Sequence, residues 1–122
     1  MVAGVLYGPT DSFRTQRILI AAKYGNSKVE LHKGFQLGQT NNDSAFLNKF
    51  PFGKVPAFET SDGHCVSEAG AVSFLVGKSV AGNDDVGRSQ VLQWISLADE
   101  EFLPAVLAWV LPSLSVMPYN KQ

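Results

Sequence analysis

The first half of the chain switches between two spacings of apolar positions. Val2 to Tyr7 is a short apolar run ended by Gly8-Pro9, which predicts a buried strand. Asp11 and Ser12 are N-cap residue types in front of Phe13 to Tyr24. In that segment Phe13, Ile18, Leu19, Ala21 and Ala22 supply an apolar side, and Arg14, Gln16, Arg17 and Lys23 the polar cover, so it predicts a helix. Gly25-Asn26 is a helix stop. Lys28 to His32 alternates, with Val29 and Leu31 on one face, which predicts a second strand. Lys33 to Thr40 reads as loop, and Asp43-Ser44 can cap a short helix through Lys49. Val55 to Glu59 and His64 to Ser67 flank Thr60-Ser61-Asp62-Gly63 and predict a hairpin, with Phe58 and Val66 on one face. A third helix is predicted from about Glu68 to Lys78, with Val72, Leu75 and Val76 facing inward.

The last third changes character. Gly82 to Asp85 is a polar linker. Val91, Ile95, Ala98 and Phe102 then step by four, three and four residues, one face of a helix. Pro104 is expected to kink or end it. Ala105 to Leu111 is apolar on all sides and is predicted to be buried helix, closed by Pro112. A βαβ unit, a helix, a ββα unit and further helices together predict an α/β fold. That order is the thioredoxin-like arrangement with an all-helical unit behind it.

Composition narrows the function classes. At 122 residues and 45% hydrophobic, the chain can bury a sizeable core. Ten Lys+Arg against 11 Asp+Glu lack the basic excess of nucleic-acid and membrane-surface proteins, so direct nucleic-acid binding is not expected. A single cysteine excludes an internal disulfide and a cysteine-rich zinc site, and it fits a reduced, cytoplasmic setting. His32 and His64 have no visible metal partners, so no metal site is expected. Met1 to Leu6 has no basic flank and does not read as a secretory signal. Phe102 to Leu111 falls short of the roughly 20 apolar residues of a membrane span.

Asn48 to Glu59 contains Pro51-Phe52-Gly53-Lys54-Val55-Pro56, which resembles the "P-x-G-K-V-P" turn of theta-like glutathione transferases. Gly38-Gln39-Thr40-Asn41, Gln93 to Asp99, and the ending Asn120-Lys121-Gln122 narrow the match. So do Leu6-Tyr7 and Phe13-Arg14. Together they resemble the N-terminal glutathione-transferase-like domains carried by gamma subunits of eukaryotic translation elongation factor 1. The resemblance implies a thioredoxin-like subdomain over 1–80 and, over 85–122, the start of an all-α C-terminal subdomain. Such domains are longer than this chain, so it reads as stopping early in its helical half. Trp109, Val110, Leu111 and Leu114 then need later helices to cover them.

The resemblance also implies site chemistry. Pro56 would be cis, an isomer whose usual place is an X-Pro bond in a tight turn, and would present the backbone of Val55 to the cysteinyl part of glutathione. Glu68 would meet the glutathione ammonium, or would only favour the helix dipole. The following position carries a serine in the resembled enzymes and is Ala69 here, so only its backbone N–H remains for the γ-glutamyl carboxylate. Ser67 is expected to point elsewhere on its strand. Lys54 is placed either for a glutathione carboxylate or for solvent. For thiolate stabilisation the candidate catalytic residue is Ser12, whose commoner fate is an N-cap, and Arg14 could favour a thiolate by charge. Tyr7 reads as a core or strand-end aromatic, and Cys65 as a buried thiol. Trp94 and Trp109 read as core or interface aromatics, and Asp99 as a brace to a neighbouring segment.

Three functions follow from the resemblance. The first is a scaffold in translation elongation that binds the guanine-nucleotide-exchange (beta) subunit, at most weakly catalytic, with a dimer through the transferase-like domain also allowed. The second is a working glutathione transferase that conjugates glutathione to small electrophiles. The third is a transferase-like appendage of an aminoacyl-tRNA synthetase. No cofactor is implied beyond glutathione as ligand or cosubstrate.

Overall fold

The computed structural model describes residues 1–118; the Asn120-Lys121-Gln122 ending lies outside them. Four strands form one sheet: β1 (Ala3–Tyr7), β2 (Lys28–Leu31), β3 (Ala57–Thr60) and β4 (Cys65–Ser67), in the spatial order β2-β1-β3-β4. β1 and β2 run parallel, joined by α1 (Phe13–Tyr24), while β3 and β4 pair antiparallel. Phe58 lies directly opposite Val66, the shared face expected of the hairpin.

Apolar clusters pack on both faces of the sheet's centre, and the period of two sorts its residues between them. On one side Leu6 and Phe58 pack against Ile18 and Ala22 of α1 and Val72 and Val76 of α3 (Ala69–Val76). Leu75 packs partly buried against the same cluster. On the other side Ala57, with Tyr7 and Val55, meets Phe46 and Phe50 at α2 (Ser44–Lys49).

Gly25 caps α1 where that helix touches the end of α3. A Cβ on Gly25 would lie 1.9 Å from the Val76 carbonyl oxygen, so only glycine permits the approach. Ser27 Oγ donates to the same carbonyl at 2.6 Å.

The helical part differs from expectation at Pro104. α4 (Asp85–Leu97) begins at Asp84, whose side chain accepts from the Gly87 N–H at 2.7 Å. It passes through one π turn (Ala98–Phe102) directly into α5 (Leu103–Ser113). Pro104 therefore neither ends the helix nor stands alone as a kink. It occupies the first turn of α5, and the wider π turn absorbs the backbone mismatch that a proline creates inside a regular helix. Pro112 lies inside α5, one residue before its end.

The expectation of a buried α5 also needs correction. No α5 residue is buried; Trp109 is 81% exposed, and Trp94 of α4 is 65% exposed. Neither tryptophan is a core residue of this chain. Phe102, Val106 and Leu114 are exposed with them, because nothing in the described chain packs over that side. Among the described residues no helix is long and apolar enough to cross a membrane.

Candidate functional site

One cleft of about 480 Å³ lies where the loop into β3, the end of β4 and the start of α3 meet the helical segment. Lys54, Val55, Pro56, Glu68 and Ala69 all line it, so the five residues proposed for glutathione share one site. The Val55–Pro56 bond is cis, as the Gly53-Lys54-Val55-Pro56 turn predicts. Glu68 precedes the first residue of α3 with φ at +71°, a conformation side-chain-bearing residues rarely adopt. Holding a non-glycine residue there costs roughly 1–3 kcal/mol, and such strain clusters at functional positions. Nothing in the sequence around Glu68 signals that backbone.

The rest of the lining is set by the tertiary fold. Ser67 lines the cleft, against the expectation that it points elsewhere. It lies opposite Ala57 at the last rung of the β3–β4 ladder, beside Pro56, so the strand end brings it to the site. Arg14, on the first turn of α1, also lines the cleft. Asp99 and Leu103 close it from the helical side, and Phe50 and Phe52 add apolar wall.

Ser12, the candidate catalytic residue, is not among the lining residues. It stands at the N-cap of α1, and its side chain makes no capping hydrogen bond. Asp99 does brace a neighbour. Arg17 of α1 donates through Nη1 to Oδ1 at 2.5 Å and through Nη2 to Oδ2 at 3.2 Å, tying the helical segment to the sheet layer. Gly70 lies under this fork. A Cβ there would sit 2.8 Å from Ile95 Cγ2 and 3.0 Å from Asp99 Oδ2, so the missing side chain lets α3 and α4 meet.

Tyr7 has a structural post on the other face of the sheet. Its hydroxyl donates to Glu59 Oε2 at 3.1 Å, and Lys49 Nζ donates to the same oxygen at 2.7 Å. Its ring stacks on His32 with centroids 4.7 Å apart. Burial, followed by the bond to Glu59, pushes the Tyr7 hydroxyl above its ordinary pKa. The Lys49 hydrogen bond, the larger effect, holds Glu59 below the usual carboxylate range. Cys65 is exposed, not buried. It pairs with Glu59 on the edge strand, beyond the reach of the α2 aromatic cluster. Among the described residues no group of three His, Cys, Asp or Glu side chains could hold a metal ion.

The family model "Glutathione S-transferase, N-terminal domain" matches residues 2–76, most of the chain and all but one wall of the cleft. The chain belongs to the glutathione S-transferase N-terminal domain family. Curated relatives refine the place of this transferase-like chain. It is 47% identical to elongation factor 1-gamma of Artemia salina over 123 aligned residues, covering 100% of this chain and 29% of that protein. It is 44% identical to elongation factor 1-gamma of Drosophila melanogaster over 123 aligned residues, covering 99% of this chain and 28% of that protein. The chain thus spans less than a third of the length of either relative. Among solved structures, glutathione transferase F2 of Populus trichocarpa superposes with a TM-score of 0.76 at 20% identity, covering 96% of this chain and 60% of that one. At that identity the likeness speaks for the transferase fold alone. The helices after the thioredoxin-like layer share in it, since the alignment runs well beyond residue 76.

Proposed function

We propose that this chain is the transferase-like part of a translation elongation scaffold of the elongation factor 1-gamma type, acting in the cytoplasm through binding the exchange (beta) subunit. The observation that carries the reading is identity of 47% and 44% to elongation factor 1-gamma, in alignments that cover 100% and 99% of this chain. The solved structures that share the fold do so at lower identity, 20% for the Populus transferase. Association with the exchange subunit, in a complex of the elongation factor 1 type, tests it: the two proteins, co-expressed and purified, should co-elute from a sizing column. Separate elution would refute it.

A specific observation supports a second, subordinate activity. The cleft keeps Val55, Pro56, Glu68 and the N–H end of α3 together, so on this reading it binds glutathione. Ala69 withholds a hydroxyl that would otherwise complete the carboxylate site, so binding is weak and conjugation of small electrophiles slow. Titration of the protein with glutathione tests this; no heat at millimolar ligand would exclude it.

A further inference from the structure

We infer that Asn41 is a positioning residue for the cleft: its side-chain amide clamps the Gly53–Pro56 turn and so sets where the Val55 backbone stands. The proposal rests on the reading that the cleft takes glutathione. Lys54, Val55 and Pro56 line the cleft, and among the described residues neither Lys54 nor Val55 makes a hydrogen bond to another backbone group. Their placement therefore depends on the two ends of the segment. At one end the sheet holds Ala57, which pairs with Tyr7 and Ser67. At the other end Gly53 lies in the connection between α2 and β3.

Two hydrogen bonds fix Gly53. Its N–H donates to the Phe50 carbonyl at 3.0 Å, closing the turn after α2. Its carbonyl accepts from Asn41 Nδ2 at 2.8 Å, 12 residues away along the chain. The other end of the same amide is also engaged: Asn41 Oδ1 accepts from the Gly38 N–H at 2.7 Å. A backbone N–H only donates and a carbonyl only accepts, so these two partners admit one orientation of the amide. The approach is close. A Cβ on Gly53, whose φ is +63°, would lie 3.3 Å from the Asn41 carbonyl oxygen and 3.3 Å from Leu47 Cδ2.

The loop that carries Asn41 is braced by other side chains. The Gln36 N–H donates to Thr40 Oγ1 at 2.9 Å, and Asn42 Nδ2 donates to the Gly38 carbonyl at 2.8 Å. Asn42 thus ties the loop to itself, whereas Asn41 ties the loop to the turn. A turn already held in place costs a ligand less ordering when it binds. Aspartate at position 41 would keep the shape and the Gly38 contact but set a second acceptor against the Gly53 carbonyl.

Titration calorimetry of the full chain with glutathione separates the two asparagines. Losing the hydrogen bond that holds the turn should weaken binding about fivefold in both Asn41→Asp and Asn41→Ala. Asn42→Ala should stay within about twofold of the unmodified chain. Amide hydrogen exchange supplies a second measurement: the Gly53 N–H should exchange faster in Asn41→Asp, unchanged in Asn42→Ala, and slower in the unmodified chain saturated with glutathione. Unchanged affinity in both Asn41 variants, or an equal loss in Asn42→Ala, would overturn the inference and leave the glutathione reading intact. If the Asn41 variants do not fold, Gly53 exchange that ignores bound glutathione in the unmodified chain would overturn it equally. If the unmodified chain binds no glutathione, that reading fails and the positioning role with it.

Discussion

The Arg17–Asp99 fork is the polar tie between the sheet layer and the helical segment, and removing it should loosen that joint measurably. Both hydrogen bonds are charge-assisted, at 2.5 and 3.2 Å, and the side chains are 28% and 37% exposed. A fully shielded hydrogen bond to a charged group contributes about 1.5–3 kcal/mol, and a fully exposed ion pair about 0.2–1 kcal/mol. Roughly one-third exposure places this two-toothed pair between them, at a coupling of about 1–1.5 kcal/mol. Arg17→Ala, Asp99→Ala and the double variant form a cycle that isolates the coupling from lost packing of the arginine stem. Urea unfolding of the four proteins supplies the free energies, with a common slope required for the comparison. A coupling below about 0.3 kcal/mol would refute the claim that this pair holds the helical segment.

Other predictions concern the cleft, the packing and the acid limb of stability. Ala69→Ser should tighten glutathione binding by about 1 kcal/mol or more, roughly fivefold, by titration calorimetry; unchanged affinity would mean the carboxylate does not lie at that helix end. Gly25→Ala should destabilise the chain by about 3 kcal/mol, because its Cβ would lie 1.9 Å from the Val76 carbonyl oxygen and 2.7 Å from Gly77 Cα, both backbone atoms. An unaltered melting temperature would contradict that packing. Glu59 has its folded pKa depressed by Lys49, so its contribution is fully present above the unfolded value of about 4.3 and is lost as pH falls through the lower folded value. Glu59→Gln should therefore flatten the fall of the urea midpoint on acidification; an identical acid limb would show that the Lys49 bond adds nothing.

Much of the fold was legible because local signals agreed. Phe13 to Tyr24 carries a helical apolar face between Ser12 and Gly25, and the helix has those bounds. Asp62-Gly63 marked the hairpin, and Gly63 does take φ +89° at the turn. That Lys54, Val55, Pro56, Glu68 and Ala69 line one cleft was legible as far as one turn and one helix start carried it. What failed depended on distant neighbours. Whether Cys65 is covered depends on how far α2 extends across the sheet, which alternation within a three-residue edge strand cannot tell. Arg14 and Ser12 lie two residues apart, and only the approach of the β3 loop and Leu103 decides which lines the cleft. Apolarity predicted burial for Ala105 to Leu111, but burial needs a partner surface, and α5 has none among the described residues. The π turn before Pro104 has no sequence mark beyond the proline itself.

The scaffold reading is tested most directly by titrating the full chain into the purified exchange subunit in a calorimeter, with glutathione turnover assayed on the same preparation. The account predicts a saturable complex with the exchange subunit and turnover close to the uncatalysed rate. No detectable complex, together with brisk conjugation of an electrophile by the unmodified protein, would contradict it and make the chain a working transferase.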